Sequence, residues 1–106
     1  MAAQVLLGHG ASGTAASMAP YVTGLGQRGI AARALELPRS TAERAVPVVR
    51  AAITDATGTV LGGHSYGGRV ASLVAAETAV AGLVLFAYPL HRPGHPEQLR
   101  TEHWPR

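Results

Sequence analysis

The chain has 106 residues, the size of one ordinary domain, and 47% of them are hydrophobic against 14% charged, which excludes intrinsic disorder and provides for a buried core. There is no cysteine, so a disulfide scaffold and any cysteine-based zinc site or nucleophile are excluded. The net charge of +3 comes from nine arginines set against six acidic residues, with no lysine; the arginines are scattered without interleaved aromatics, so no nucleic-acid surface is expected.

In chain order, the first apolar run, residues 4–8, has a strand's length. No basic segment precedes it, so it does not read as a signal sequence. A helix is predicted over 17–28, with Pro20 tolerated near its start and Gly29 closing it. The run 30–37, interrupted by Arg33 and Glu36, reads as an edge strand. Ser40-Thr41-Ala42-Glu43 is a capping-box pattern opening a helix to about residue 54, with Pro47 as either a kink or the true first-turn residue. Residues 59–63 read as a strand and 68–78 as a helix with Val70, Leu73 and Val74 on one face. Residues 82–88 read as a further strand. The segment 89–106 holds four of the seven prolines and three of the five histidines, and reads as a C-terminal loop with one short helix near 97–101.

Alternating strands and helices, with apolar runs that do not alternate with polar residues, argue an α/β domain. A buried parallel sheet is expected, flanked by helices in three layers, with strand order 2-1-3-4 and right-handed crossovers. One domain is expected over 1–106. No stretch approaches the roughly 18 apolar residues of a membrane span, so a cytoplasmic protein is expected, with no membrane partner.

The chemistry is concentrated in Gly62-Gly63-His64-Ser65-Tyr66-Gly67-Gly68, between a strand and a helix. Gly63-x-Ser65-x-Gly67 fits the nucleophile elbow G-x-S-x-G. A sharp strained turn lifts the serine hydroxyl off the sheet, and strand and helix cross so closely that the residues two before and two after must be small. His64 lies within the elbow. After the first strand comes Gly8-His9-Gly10-Ala11-Ser12-Gly13. A His-Gly loop in this place supplies one oxyanion-hole N–H in acyl-transfer hydrolases, assigned here to Ala11 with Ser12 as fallback. Tyr66, the residue after the serine, supplies the other. His9 and Gly10 are then loop support, and His9 is not the base. In the expected topology both loops meet at the switch point of the sheet. A rival reading takes Gly8-x-Gly10-x-x-Gly13 as a dinucleotide fingerprint with Glu36 as the ribose-binding acid; it leaves residues 63–68 unexplained.

Three stretches, Gly8-His9-Gly10-Ala11, residues 62–69 and the long run 88–103, give the chain its resemblance to the N-terminal half of a small α/β-hydrolase. It is most similar to the dienelactone-hydrolase-like branch that includes the testis-expressed and non-specific-lethal-complex subunit-three-like proteins. The resemblance covers nearly all of the chain. It implies Ser65 as nucleophile and the N–H groups of Ala11 and Tyr66 as oxyanion donors, whereas the family's substrates are poorly defined. The expectation is a serine hydrolase acting on a small ester, thioester or dienelactone-type substrate, with no cofactor and no metal.

In that family the triad acid and histidine follow the serine, after later strands. Here the only aspartate, Asp55, lies upstream. Glu97, Glu102, His91, His95 and His103 lie downstream, where an improvised pair is conceivable, but surface charges and loop histidines are the simpler reading. The expectation is therefore a truncated hydrolase that shows little turnover alone and self-associates through an open strand edge at 82–88. The alternative is a non-catalytic binding or scaffold module that kept the elbow.

Overall fold

The computed structural model describes residues 3–92, 94–101 and 103–104. Four strands, β1 (Gln4–Gly8), β2 (Ala31–Leu35), β3 (Thr59–His64) and β4 (Gly82–Phe86), form a parallel sheet in the order β2-β1-β3-β4. Three helices cover it: α1 (Ala19–Gln27), α2 (Ala42–Ala52) and α3 (Tyr66–Glu77). The α/β class and the strand order are those expected from the sequence.

The central strand shows why its run is apolar throughout. Successive side chains of a strand point to opposite faces, and both faces of β1 are covered. Leu6 packs with Leu61, Val46, Val49, Val70 and Val74 beneath α2 and α3. Val5 and Leu7 pack with Met18, Val22 and Leu25 of the α1 side. These are the three layers. The edge strand β2 buries little until Leu35, which explains why Arg33 is tolerated there. Arg50 and Glu77 form an ion pair that joins α2 to α3.

Several element boundaries differ from expectation for local reasons. The first helix begins as a 3₁₀ turn (Ala15–Met18) and becomes α-helical only at Ala19, with Pro20 in the first turn. Pro47 lies inside α2, not at its start. It is on the exposed side of the helix, where the missing N–H and the carbonyl it leaves unpartnered face water. α3 starts at Tyr66, directly after Ser65. β4 stops at Phe86 because Ala87 turns to a φ of 52°, outside the strand region.

The C-terminal segment corrects the sequence reading more substantially. In place of a loop with a short helix near 97–101, the chain forms an antiparallel hairpin of β5 (His91–Arg92) and β6 (His95–Leu99). Gly94, at a φ of 78°, supplies the turn conformation that glycine tolerates best. Tertiary bonds hold the hairpin's root: Arg100 N–H donates to Leu90 O at 2.6 Å, and Tyr88 Oη donates to Arg100 O at 2.6 Å. Beyond it, His103 Nε2 lies 2.9 Å from Ser72 Oγ on α3, and Trp104 packs on Tyr88 with ring centroids 4.9 Å apart.

Among the described residues, β4 has β3 on one side and no strand on the other, and Leu83 and Val84 are 37% and 41% exposed. No helix of the described residues is long and apolar enough to cross a membrane.

Candidate functional site

The two glycine-rich loops leave the C-terminal ends of the adjacent strands β1 and β3, where the chain's crossovers diverge to opposite sides and a crevice opens. Ser65 occupies the turn from β3 into α3 with φ 51° and ψ −112°, a conformation costing about 1–3 kcal/mol for a non-glycine residue. The turn is held on both sides: Ser65 N–H donates to Phe86 O at 2.8 Å, and Ser65 O accepts from Arg69 N–H at 3.0 Å. Its side chain does not cap the helix, which leaves Oγ available to the crevice.

The glycines around it are dictated by backbone contact. A Cβ on Gly63 would lie 2.5 Å from Gly67 C and 2.7 Å from Gly8 O, and one on Gly67 would lie 2.3 Å from Gly8 C and O. Gly8, Gly63 and Gly67 thus form one junction where β1, β3 and α3 meet main chain to main chain.

The residues Gly10 to Gly13 form a turn closed by Gly13 N–H donating to Gly10 O at 3.0 Å. That bond uses neither the Ala11 nor the Ser12 amide. Tyr66 is the first residue of α3, and the first N–H groups of a helix have no intrahelical acceptor. Two cavities flank the serine. One, of about 430 Å³, is lined by Ser65, Ala11 and Tyr66 together with Glu43, Arg69 and His91. The other, of about 470 Å³, is lined by Ser65, Ala11, Ser12, His64, Met18 and Tyr21. Ala11 borders both, whereas Ser12 is absent from the cavity that holds Tyr66.

His9 is buried at 1% exposure. Its Nδ1 lies 2.7 Å from Gly10 O, and its Nε2 lies 2.9 Å from Leu37 N. An amide N–H can only donate, so Nε2 is the acceptor and the proton resides on Nδ1. Glu36 Oε2 at 3.3 Å from Nε2 is then a neighbour rather than an ion-pair partner. Both ring nitrogens are engaged in holding the loop to the end of β2. Tyr66 makes the matching bond from α3, its Oη donating to Pro38 O at 2.7 Å. Partial burial raises the Tyr66 hydroxyl above its ordinary value, against the opposing hydrogen bond with the Ser40 backbone, so the phenol stays protonated and a donor.

Glu43 and Arg69, which the sequence reading did not single out for the site, border the serine's cavity as an ion pair at 3.0 Å. A hydrogen bond to its own backbone N–H, with the Arg69 guanidinium next, holds the Glu43 carboxyl below the usual range in spite of partial burial. The signal for Arg69 was its place just after the elbow; Glu43 was legible only as a capping residue.

The other candidates disperse. Asp55 precedes β3 at the end away from Ser65 and accepts from Thr57 Oγ1. His95 pairs with Glu97 at 3.2 Å on the hairpin, and His103 is held by Ser72. Glu102 lies outside the described residues. The dinucleotide geometry is not built: the loop after Gly13 leads to a 3₁₀ turn, and the Glu36 carboxylate accepts from Ala15 N–H at 3.0 Å. Among the described residues no cluster of three or more ligating side chains is arranged to hold a metal ion.

A family model described as an alpha/beta hydrolase domain matches residues 1–106. No curated protein matches the chain.

Proposed function

From its membership of the alpha/beta hydrolase domain family, we propose that this chain is a serine hydrolase acting on ester, thioester or dienelactone-type bonds of a small cytoplasmic substrate. Within the family we assign it to the dienelactone-hydrolase-like branch, on the resemblance carried by residues 8–11, 62–69 and 88–103. The observation that carries the reading is Ser65, at a φ of 51° on the N-terminus of α3, sharing one cavity with Ala11 and Tyr66.

In this reading Oγ of Ser65 attacks the acyl carbon, and the carbonyl oxygen becomes an oxyanion. The Ala11 and Tyr66 N–H groups receive it, and the positive end of the twelve-residue helix α3 adds to the stabilisation. Pre-organised donors of this kind cost no rearrangement at the moment of reaction, and losing one costs about 10²–10³ in rate. The strained turn and the junction glycines position Oγ; His9 holds the donor loop in place.

The test is covalent labelling of the whole chain by a fluorophosphonate, located by mass spectrometry. The expected result is stoichiometric phosphonylation at Ser65 and none in Ser65→Ala. A folded chain that takes up no label, or that is labelled at another serine, would overturn the reading in favour of a non-catalytic module.

A further inference from the structure

The two cavities that meet at Ser65 differ in charge. The one bordered by Met18, Tyr21 and His64 has no aspartate, glutamate or arginine on its walls. The one that holds Tyr66 is bordered by Arg69, Arg100 and Glu43. Its volume of about 430 Å³ is in the range of small-molecule pockets.

The charges on that wall do not balance. Arg69 Nη2 donates to Glu43 Oε1 at 3.0 Å. Arg100 stands close enough for its charge to help hold the Glu43 carboxyl low. Yet among the described residues its guanidinium has no ion-pair or hydrogen-bond partner. Two guanidinium groups thus face one carboxylate. Each carries five N–H donors in a planar fork, and Arg69 gives one bond to Glu43, so most of these donors are unused.

The fold holds both cations beside the serine. Arg69 lies one turn along α3 from Ser65, its N–H bonded to Ser65 O, and its side chain is only 19% exposed. Arg100 arrives from the far end of the hairpin. Its N–H donates to Leu90 O, and its carbonyl accepts from Tyr88 Oη, so the backbone that carries it is fixed. The positive end of α3 begins at Tyr66, on the same cavity. Partial burial reduces solvent screening, so an anion here is attracted more strongly than at an open surface.

We propose that this cavity seats a carboxylate of the substrate, held by Arg69 and Arg100 while the reacting carbonyl lies at Ser65. The assignment of that carboxylate to a substrate rests on the serine-hydrolase reading; the carboxylate site itself does not. The substrate class is then a hemiester or hemithioester of a short dicarboxylic acid, its uncharged part directed to the cavity of Met18 and Tyr21. Arg69 and Arg100 act as specificity residues, contacting the distal carboxylate and not the reacting atoms. Glu43 is an internal anion that already engages Arg69, so it opposes the incoming carboxylate and limits its affinity.

The experiment titrates the whole chain with glutarate. It follows the arginine Nε–H signals by NMR and, in parallel, the rate at which a neutral fluorophosphonate labels Ser65. Glutarate is expected to shift the Arg69 and Arg100 signals and to slow labelling over the same concentration range. Arg100→Gln should weaken glutarate about tenfold or more, the loss of a charge-assisted contact. Glu43→Gln should tighten it about two- to fivefold, the worth of one exposed charge contact. Opposite changes in these two variants are something a loss of folding cannot imitate. Arg33→Gln makes the same charge change as Arg100→Gln on an exposed residue of β2, and should bind glutarate as the intact chain does. An equal loss in Arg33→Gln would overturn the proposal in favour of diffuse charge attraction. Ser65 labelling with no response of either signal to glutarate would overturn it while leaving the hydrolase reading standing. Glutarate binding lost in Arg100→Gln, with no labelling at Ser65, would keep the carboxylate site and overturn the hydrolase reading. Absence of both would overturn both.

Discussion

Gly67→Val is expected to abolish the native fold or lower its stability by at least about 3 kcal/mol, the upper end of ordinary overpacking, and Gly63→Val to follow closely. The new Cβ would lie 2.3 Å from the Gly8 carbonyl at one site and 2.5 Å from Gly67 C at the other. All of these are main-chain atoms, so no side-chain rotation relieves the clash. Domains of this kind carry only about 5–15 kcal/mol of net stability. Ser65→Ala removes one half-buried hydroxyl that caps nothing, and its cost is expected within about 0.5 kcal/mol. Urea denaturation of the three variants checks the contrast; equal midpoints would mean that the junction is looser than its geometry.

The second large effect is at Leu61, at 0% exposure in the middle of β3. Leu61→Ala is expected to cost about 2–5 kcal/mol, from lost transfer free energy and the cavity left behind. Its register partner on the same face is Leu83 of β4, which is 37% exposed. With much of that side chain already in water, Leu83→Ala is expected to cost about 1 kcal/mol. The comparison also reads the state of the open edge. Self-association there, as expected from the sequence, would make Leu83→Ala more costly than its exposure implies and make the melting temperature depend on protein concentration. A small, concentration-independent cost would mean that the edge stays uncovered.

The sheet was legible in the sequence because its four runs are short, apolar and bounded by turn residues, and because burial on both faces removes the polar alternation of an exposed strand. The elbow was legible for a related reason: the small residues around Ser65 are demanded by backbone contact, and only glycine meets that demand. The C-terminal hairpin was not legible. Pro96, Glu97, Gln98 and Leu99 carry a local preference for starting a helix, and what overrides it is tertiary: the partners of Arg100 N–H and Tyr88 Oη lie ten or more residues away in the chain. Glu43 and Arg69 escaped for the same reason. Their meeting depends on how α2 packs beside α3, which no local pattern encodes. The three late histidines were equivalent as sequence, and only the path of the chain after Ala87 separates His91 from the others.

The short connection between β2 and α2 joins two things that look independent. Leu37 gives its amide proton to His9 of one glycine-rich loop, and Pro38 accepts the phenol of Tyr66 from the other. Adjacent residues thus serve as a common abutment for the two loops that carry Ala11 and Tyr66. The two loops should therefore fluctuate as a pair, since neither can move far without straining the same stretch of chain. Leu37 lies outside every strand, yet its amide should exchange with solvent only when His9 lets go. Its exchange rate would then report how often the space between Ala11 and Tyr66 loses its shape.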